Sequence, residues 1–286
     1  MKKLLTDYVI ITRLNRPIGI WLLFLPCLFA IFLASKTTAL STVVTNKFIF
    51  LFLFGSLSMR SAGCIINDFF DKKFDAKVER TKLRPLAAKT MSQSAALILL
   101  VILLIISASI LFQFNNQAIC AGLISLPLII CYPLMKRITY YPQLFLGITF
   151  NFGIIIASYA INNHLTSQAL LLYLASIFWT LVYDTIYAYQ DIEDDMKIGV
   201  KSTAIRFGKK PQTILYLFTI AMFLLLTIVG TLAHLNIYYF LISAAAFIAM
   251  LCNIITCDFT NPQSCLKKFK QHLHFGFIIS IAIFLG

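Results

Sequence analysis

The chain has 286 residues, of which 60% are hydrophobic and only 12% are charged. Soluble domains carry about 25% charged residues, so this composition excludes an ordinary soluble globular domain. Lys and Arg outnumber Asp and Glu by 24 to 11, and the net charge of +13 favours anionic lipid head groups and anionic substrates as partners. No feature of the sequence calls for nucleic acid as a partner.

Apolar segments long enough to cross the roughly 30 Å hydrocarbon core of a bilayer recur along the whole chain. They are too long, and too poor in alternation, to be strands of a membrane barrel. The predicted fold is therefore all-α, a polytopic membrane protein with nine transmembrane helices in a single domain over residues 1–286. The predicted spans are 17–35, 46–66, 91–113, 117–134, 141–161, 166–186, 212–232, 236–256 and 271–286. The last span is short, at about 22 Å.

The distribution of basic residues predicts the orientation of the chain. The N-terminal segment is basic, lacks a signal-peptide cleavage pattern and is expected to lead straight into the first span. Together with the connections after spans 2, 4, 6 and 8, it holds 21 of the 24 Lys and Arg residues. We therefore expect a bacterial inner-membrane protein whose N-terminus and two long polar loops face the cytoplasm.

The acidic residues lie in two places. Nine of the 11 Asp and Glu residues fall in two short clusters, each at the end of an apolar segment. The first cluster reads Asn67-Asp68-x-x-Asp71-x-x-x-Asp75 with Glu79, and the second contains Asp184, Asp191, Glu193, Asp194 and Asp195. Carboxylates at a membrane boundary are costly to desolvate, so both clusters need a cationic partner. A divalent metal that bridges a phosphorylated substrate is the simplest partner for both.

In the first cluster, Asn67, Asp71 and Asp75 are spaced four residues apart and would line one face of a helix. Ionised carboxylates stacked in this way repel one another unless a cation lies between them. Ligands that are all oxygen favour Mg²⁺ over zinc or copper. Asp68 lies off this face by about 100° and is expected to cap, to pack or to support the ligands. The alternative is an exposed helix end with scattered Asp–Lys pairs.

In the second cluster, Asp184, Asp191 and Asp195 are spaced seven and four residues apart. On one continuous helix all three would face a single cavity, whereas Glu193 and Asp194 would face water. Two carboxylate faces opposed across a cavity suit Mg²⁺ ions that bridge a diphosphate.

Basic residues accompany both clusters. They are Arg80, Lys82 and Arg84 after the first, Lys197, Lys201 and Arg206 after the second, and Lys136 and Arg137 at the end of span 4. Near a metal-bound diphosphate such cations stabilise charge on the leaving group. Ordinary positive-inside charge explains most of the lysines, but Arg84 and Lys136 are predicted to bind substrate.

Arg60 lies inside span 2, about two turns before Asn67 and on nearly the same face. A lone Arg in a span costs at least ~2.5–3.5 kcal/mol on insertion scales, so an anionic group should meet it. That group is either a carboxylate on a partner helix or a carboxylate on a substrate. Tyr183, Tyr187 and Tyr189 lie inside the second cluster, where their rings could stabilise an allylic cation.

At these residues the chain resembles the UbiA superfamily of intramembrane prenyltransferases, and within it the branch that prenylates 4-hydroxybenzoate. The resemblance rests on Asn67-Asp68-x-x-Asp71-x-x-x-Asp75, on Asp184-x-x-Tyr187-Ala188-x-x-Asp191-x-x-x-Asp195, and on RPIG at 16–19, RSAGCIINDFFDKKFDAKVERTKLRPLA at 60–87, YPLMKRITYYPQ at 132–143 and YDTIYAYQDIEDDMKIGVKSTAIRFG at 183–208. It implies a helical bundle around a central cavity that is open to lipid, with cap segments over one mouth.

The resemblance also implies roles for particular residues. It assigns Mg²⁺ binding to Asn67, Asp71, Asp75, Asp184, Asp191 and Asp195. It assigns substrate binding to Arg60, Arg84, Lys136, Arg137, Tyr187 and Lys201. Among these, Asp71, Asp191 and Arg60 are expected to be catalytic, and Arg60 lies where the aromatic acid would bind.

The expected activity is transfer of a polyprenyl group from polyprenyl diphosphate to the carbon ortho to the hydroxyl of 4-hydroxybenzoate, a step of ubiquinone biosynthesis. One alternative is prenylation of a haem, a naphthoate or a tetrapyrrole by the same chemistry, and Arg60 with its flanking signature separates these acceptors. The other is transport of anions. The charges cluster at one face and do not line a path across the membrane, which disfavours a transporter.

Overall fold

The computed structural model describes residues 2–76 and 81–286, so the predictions for Glu79 and Arg80 fall outside the described residues. The described part of the chain is helical and contains no strand. Its helices are α1 (Lys2–Ile11), α2 (Ile18–Thr38), α3 (Thr42–Asp75), α4 (Gln93–Leu111), α5 (Asn116–Ile138), α6 (Pro142–Phe150), α7 (Gly153–Asn162), α8 (Ser167–Ala188), α9 (Ile192–Ile198), α10 (Thr203–Phe207), α11 (Gln212–Leu232), α12 (Ile237–Ile255) and α13 (Pro262–Leu285).

The all-α, multi-span architecture is confirmed, and the number nine is approximate. Among the described residues, eight segments are long and apolar enough to cross a membrane, with α6 and α7 counted together over Pro142–Asn162. The ninth predicted span corresponds to α13. This helix starts at Pro262 rather than at residue 271, and its 24 residues extend about 36 Å. The Asn261 side chain caps its first turn, and Lys267, Lys268 and Lys270 make its first half polar.

The N-terminal segment was predicted to lead straight into the first span, and this prediction is wrong. It forms the separate helix α1, and the chain turns at Arg13, which has a left-handed φ of 60°. The helix is interrupted because Arg16 precedes Pro17, and a proline disfavours helical geometry in the residue before it. Ile11 at the end of α1 packs in a cluster with Ile65 of α3. The helix α1 therefore lies against the end of α3 that carries the first acidic cluster.

Local signals fix where most of the long helices begin. A side-chain oxygen before the first turn accepts a backbone N–H there and satisfies one of the donors that a helix start leaves free. The residues that do this are Ser41 for α3, Ser92 for α4, Asn115 for α5, Thr166 for α8, Asn236 for α12 and Asn261 for α13.

The core of the bundle lies along α2 and α8. In their apolar stretches 67% and 72% of residues are buried, against 6% in α4, so α4 is the helix most exposed to lipid. Phe29 of α2 contacts Trp179 of α8, with ring centroids 5.8 Å apart. Gly276 lets α13 approach the same point, because a Cβ there would lie 2.6 Å from Leu25 and 2.7 Å from Trp179.

The predicted span at 141–161 is interrupted, since α6 ends at Phe150 and α7 starts at Gly153. The Asn151 side chain between them is buried, and it donates to the Gly147 carbonyl at 2.7 Å and to the Thr180 hydroxyl at 2.9 Å. These bonds tie the interruption to α8. Hydropathy alone misses it because the residues around Asn151 remain apolar.

Candidate active site

A cavity of about 1530 Å³ lies among the helices. All six residues predicted to bind Mg²⁺ line it: Asn67, Asp71, Asp75, Asp184, Asp191 and Asp195. Of the residues predicted to bind substrate, the same wall contains Arg60, Arg84, Lys136, Tyr187 and Lys201. The fold therefore brings together, in one space, residues that are more than a hundred positions apart in the sequence.

The first acidic cluster sits on the last turns of α3, which is continuous through Asp75, as its four-residue spacing predicts. Asp71 and Asp75 are buried, at 1% and 7% exposure, yet each carboxylate has a cation beside it. Lys136, from the end of α5, donates to Oδ2 of Asp71. Arg84 Nη1 donates to Oδ2 of Asp75 at 2.8 Å. Both cations are among those predicted to bind substrate.

Asp68 is fully buried and does not line the cavity. Its Oδ1 accepts from Arg13 Nη2 at 2.6 Å and from Arg84 Nη1 at 3.3 Å. Asp68 therefore supports the site from behind, as its position off the ligand face predicted. Sequence reasoning missed Arg13, which also lines the cavity, because nothing in the linker before α2 signals that it turns back toward α3.

The second acidic cluster is not on one helix, and that prediction is wrong. The helix α8 ends at Ala188, and Asp191 precedes the separate helix α9. Three consecutive acids open α9, namely Glu193, Asp194 and Asp195, and acids in a first turn are stabilised by the positive end of the helix dipole. A helix start is therefore favoured at this point over a helix interior.

The side chains of the second cluster nevertheless divide as predicted. Asp184, Asp191 and Asp195 line the cavity, half-buried, whereas Glu193 is exposed. Asp194 lies 3.6 Å from Lys197 Nζ, which is itself 72% exposed, in an ion pair of the surface type.

Arg60 lies deep in the bundle, about two turns before Asn67 on α3. Its Nε is buried and has no hydrogen-bond partner. The guanidinium carbon lies 5.1 Å from the centroid of the Phe150 ring. Asp184 interacts with Arg60 through charge, but Arg60 forms no ion pair with a carboxylate of the described residues. A carboxylate on a partner helix therefore does not satisfy it directly.

Arg137 departs from its predicted role, because it does not line the cavity. Its Nη2 donates to the Phe70 carbonyl at 2.8 Å, and its guanidinium lies 5.0 Å from the centroid of the Phe74 ring. The same Nη2 lies 3.6 Å from Oδ1 of Asp71, so Arg137 forms a long ion pair with the carboxylate that Lys136 also contacts, without lining the cavity itself.

Lys201 lines the cavity and also holds a loop in place. Its Nζ donates to the Ile138 carbonyl at 3.0 Å, and its backbone N–H donates to the Lys136 carbonyl at 2.7 Å. These bonds fasten the segment between α9 and α10 to the end of α5. Lys82 and Arg206 are exposed, in keeping with ordinary positive-inside charge.

The three tyrosines of the second cluster have different surroundings. Tyr183 and Tyr187 line the cavity, and the Tyr187 ring packs on Phe269 of α13 with centroids 4.6 Å apart. Tyr189 instead donates its hydroxyl to the Gly208 carbonyl at 2.5 Å, and burial raises the pKa of its phenol. Tyr189 is therefore part of the scaffold.

The donor atoms around the cavity fit a hard divalent cation. They are all oxygens, which suits Mg²⁺. Oδ1 of Asp71 is buried without a hydrogen-bond partner, and Arg137 Nη2 lies 3.6 Å from it in a long ion pair. In the described part of the chain, no three His, Cys, Asp or Glu side chains already form a coordination group. A metal at Asp71 or Asp75 would take the place that Lys136 or Arg84 now occupies.

The model of the UbiA prenyltransferase family matches residues 23–281. The chain belongs to the UbiA prenyltransferase family. This membership confirms the resemblance that the two acidic motifs indicated.

Several named relatives are similar over nearly the whole chain. The mitochondrial 4-hydroxybenzoate polyprenyltransferase of Dictyostelium discoideum is 42% identical over 98% of this chain, which spans 60% of that relative. The 4-hydroxybenzoate geranyltransferase 1 of Lithospermum erythrorhizon is 40% identical over 100% of this chain and 92% of its own length. The mitochondrial 4-hydroxybenzoate polyprenyltransferase of Arabidopsis thaliana is 42% identical over 98% of this chain and 68% of its own length.

Solved structures share the fold. A UbiA homologue from Aeropyrum pernix K1 superposes with a TM-score of 0.69 at 22% identity, over 92% of this chain and 94% of that one. A UbiA homologue from Archaeoglobus fulgidus, bound to GPP and Mg²⁺, gives 0.68 at 20% identity, over 96% and 99%. At these identities the likeness establishes the fold alone.

The predicted location in a bacterial inner membrane is wrong by this comparison. The relatives from Dictyostelium, Drosophila, Arabidopsis and Bos are eukaryotic proteins named as mitochondrial. Positive-inside counting orders the faces of a membrane protein but carries no information about which membrane holds it. The multi-pass character of the chain stands.

Proposed function

We propose that this chain transfers a prenyl group from a prenyl diphosphate to the ring carbon ortho to the hydroxyl of 4-hydroxybenzoate, as a step of ubiquinone biosynthesis. The names of the relatives at about 40% identity support this acceptor. The observation that carries the proposal is the shared cavity, where two oxygen clusters, two paired cations and the half-buried Arg60 line a single space.

The diphosphate would bind at the mouth formed by the two acidic clusters. Asn67, Asp71 and Asp75 from α3 would hold Mg²⁺ together with Asp184, Asp191 and Asp195 from α8 and α9. When bound, Mg²⁺ supplies Lewis-acid stabilisation of charge on the departing diphosphate. Lys136 and Arg84 have a second task, because each can leave its carboxylate for a phosphate oxygen. The chain thus keeps its diphosphate-binding cations beside the site before substrate arrives.

The reaction is a substitution at the allylic carbon of the donor. The carbon–oxygen bond to diphosphate breaks and its electron pair leaves with the diphosphate. The ring carbon ortho to the hydroxyl then bonds to the allylic carbon, and its proton passes to an oxygen of the departed diphosphate. The rings of Tyr183 and Tyr187 line this region, and their π faces stabilise nearby positive charge. Exclusion of water from this region prevents water from capturing the allylic cation before the ring carbon attacks it.

The prenyl tail would occupy the apolar limb of the cavity. This limb is lined by α4 and α5 side chains, among them Leu104, Leu111, Leu123, Leu126 and Ile130. Leu123 is 51% exposed and Ile130 is 50% exposed, so the limb adjoins the surface that faces lipid. A long polyprenyl chain can therefore extend into the bilayer without meeting water.

An assay of the purified protein in lipid nanodiscs tests this function. The reaction contains 4-hydroxybenzoate, Mg²⁺ and either geranyl diphosphate or a longer polyprenyl diphosphate, and products are identified by mass and by the position of the new carbon–carbon bond. We expect an ortho-prenylated hydroxybenzoate and equimolar diphosphate, with no product in excess chelator. Prenylation of a naphthoate or a haem, with 4-hydroxybenzoate left unreacted, would replace this acceptor by another.

A further inference from the structure

We propose that Gly19 and Phe150 form a seat that fixes the orientation of the Arg60 guanidinium, and thereby set the preference for an acceptor that carries a carboxylate. The inference rests on the proposed function, because it takes Arg60 as the partner of that carboxylate. Gly19 and Phe150 line the same cavity as Arg60 but carry no charge. They are positioning residues, since each acts through Arg60.

Gly19 lies in the first turn of α2, against the side chain of Arg60. A Cβ at this position would lie 2.6 Å from Arg60 Nε and 2.9 Å from Nη2, closer than unbonded atoms approach. Only glycine therefore lets the backbone of α2 come this close to the guanidinium. Because the guanidinium is the far end of a flexible side chain, a methyl group at residue 19 would displace Arg60 rather than part the helices.

Phe150 supplies the second contact of the seat. Its ring centroid lies 5.1 Å from the guanidinium carbon, within the range of a cation–π interaction. Phe150 is the last residue of α6, and its place is set by the interruption that follows it. There Asn151 bonds to Gly147 at 2.7 Å and to Thr180 at 2.9 Å. The hydrogen bonds of Asn151 therefore hold the Phe150 ring in position.

The orientation of Arg60 depends on this seat because Asp184 attracts the guanidinium through charge but forms no ion pair that would fix its direction. Arg60 forms no ion pair with a described carboxylate, and its Nε has no hydrogen-bond partner. A guanidinium binds a carboxylate through a planar fork, so its orientation decides whether the two groups align. A misplacement on the order of 1 Å can cost on the order of 100-fold in rate.

The first test is Gly19→Ala, assayed with both substrates. We expect the KM for 4-hydroxybenzoate to rise about tenfold, whereas the KM for the prenyl diphosphate changes less than about twofold. Binding of 4-hydroxybenzamide, which keeps the ring and hydroxyl but lacks the charge, is measured as competition and should not change. Gly55→Ala on α3 is the matched control, because a Cβ there meets only Ile110 at an ordinary 3.8 Å.

A double-mutant cycle with Arg60→Ala decides the mechanism. If Gly19 acts through Arg60, Gly19→Ala has no further effect once Arg60→Ala is present. An effect of equal size in both backgrounds overturns the inference. If Arg60→Ala alone leaves the KM for 4-hydroxybenzoate unchanged, the proposed pairing of Arg60 with the acceptor falls instead.

Phe150→Leu provides the same measurement without a change in helix α2. It removes the ring while retaining an apolar side chain, so we expect a smaller rise in the KM for 4-hydroxybenzoate, about threefold, that also disappears in the Arg60→Ala background. If Gly19→Ala fails to fold, as judged by thermal unfolding, this second cycle alone supports or overturns the seat.

Discussion

The two acidic clusters look alike in sequence but differ in structure. The first lies on one continuous helix, and its aspartates are buried, at 0% to 7% exposure, with Arg or Lys side chains bonded to them. The second is divided between α8 and α9, and its three cavity-lining aspartates are half-buried. The difference shows that two similar groups of acids do not imply a repeated backbone.

Helix length explains the difference. With 34 residues, α3 extends about 51 Å, well beyond a hydrocarbon core of roughly 30 Å. Its last turns project past the membrane and carry the first cluster on an intact helix. With 22 residues, α8 extends about 33 Å, so it ends where the apolar layer ends. Asp191 and Asp195 then belong to the next element.

The largest expected effect tests whether both clusters serve the same chemistry. Asp71→Asn and Asp191→Asn should each reduce kcat by at least about a thousandfold, because each would remove an anionic ligand of the proposed metal, which would contribute several kcal/mol to the transition state. Turnover of 4-hydroxybenzoate by the purified, folded variants provides the measurement. Near-normal turnover by one variant alone would confine the metal to the other cluster.

The next effect separates the clusters by stability. Asp71→Asn leaves Lys136 without its charged partner, and Lys136 is 29% exposed while Asp71 is 1% exposed. The cost lies between that of a surface pair and a buried pair, and we expect about 2 kcal/mol of unfolding free energy, measured without Mg²⁺.

A matched variant checks that this loss comes from the pair. Adding Lys136→Gln to Asp71→Asn removes the unpaired ammonium and should restore about half of the lost stability. If the double variant is less stable than Asp71→Asn alone, the ion pair is not the cause.

Much of the fold follows from apolar runs, because the bilayer fixes their length. The predicted span at 212–232 coincides with α11, Gln212–Leu232, and the span at 166–186 differs from α8 by one residue at its start and two at its end. The apolar pattern does not predict a helix interruption that depends on a single polar contact. At Asn151 a buried bond to Thr180 interrupts an apolar stretch, and no local pattern announces such a partner.

The site shows the same limit. The four-residue spacing correctly placed Asn67, Asp71 and Asp75 together because α3 is continuous. Lys136 and Arg137 are neighbours in sequence, yet only Lys136 lines the cavity. Adjacent residues on a helix point about 100° apart. Which of them reaches the cavity depends on packing that the sequence does not display. Arg13 was missed for the same reason.

A smaller effect concerns the support behind the first cluster. Asp68→Asn should raise the KM for the prenyl diphosphate about tenfold, because Arg84 loses a charged anchor worth roughly 1.5 kcal/mol. The KM for 4-hydroxybenzoate should stay within about twofold. A change in kcat alone, with both KM values unchanged, would place Asp68 among the metal ligands and contradict its role as an anchor.

The smallest effect concerns the backbone of the second cluster. Gly199 ends α9 in the left-handed region, with φ at 75°, and its N–H donates to the Asp195 carbonyl. A Cβ at Gly199 would meet no atom within 4 Å, so any cost of Gly199→Ala arises from the backbone and not from crowding. Residues other than glycine lose about 1–2 kcal/mol of stability in this region, and Asn loses least.

We therefore expect Gly199→Ala to lower the free energy of unfolding by about 1 kcal/mol and Gly199→Asn by clearly less, with kcat within about twofold of the parent in both. Chemical denaturation in detergent measures the pair. Equal losses for Ala and Asn would show that the end of α9 does not depend on a left-handed glycine, and a large fall in kcat would show that this turn holds Asp195 in place.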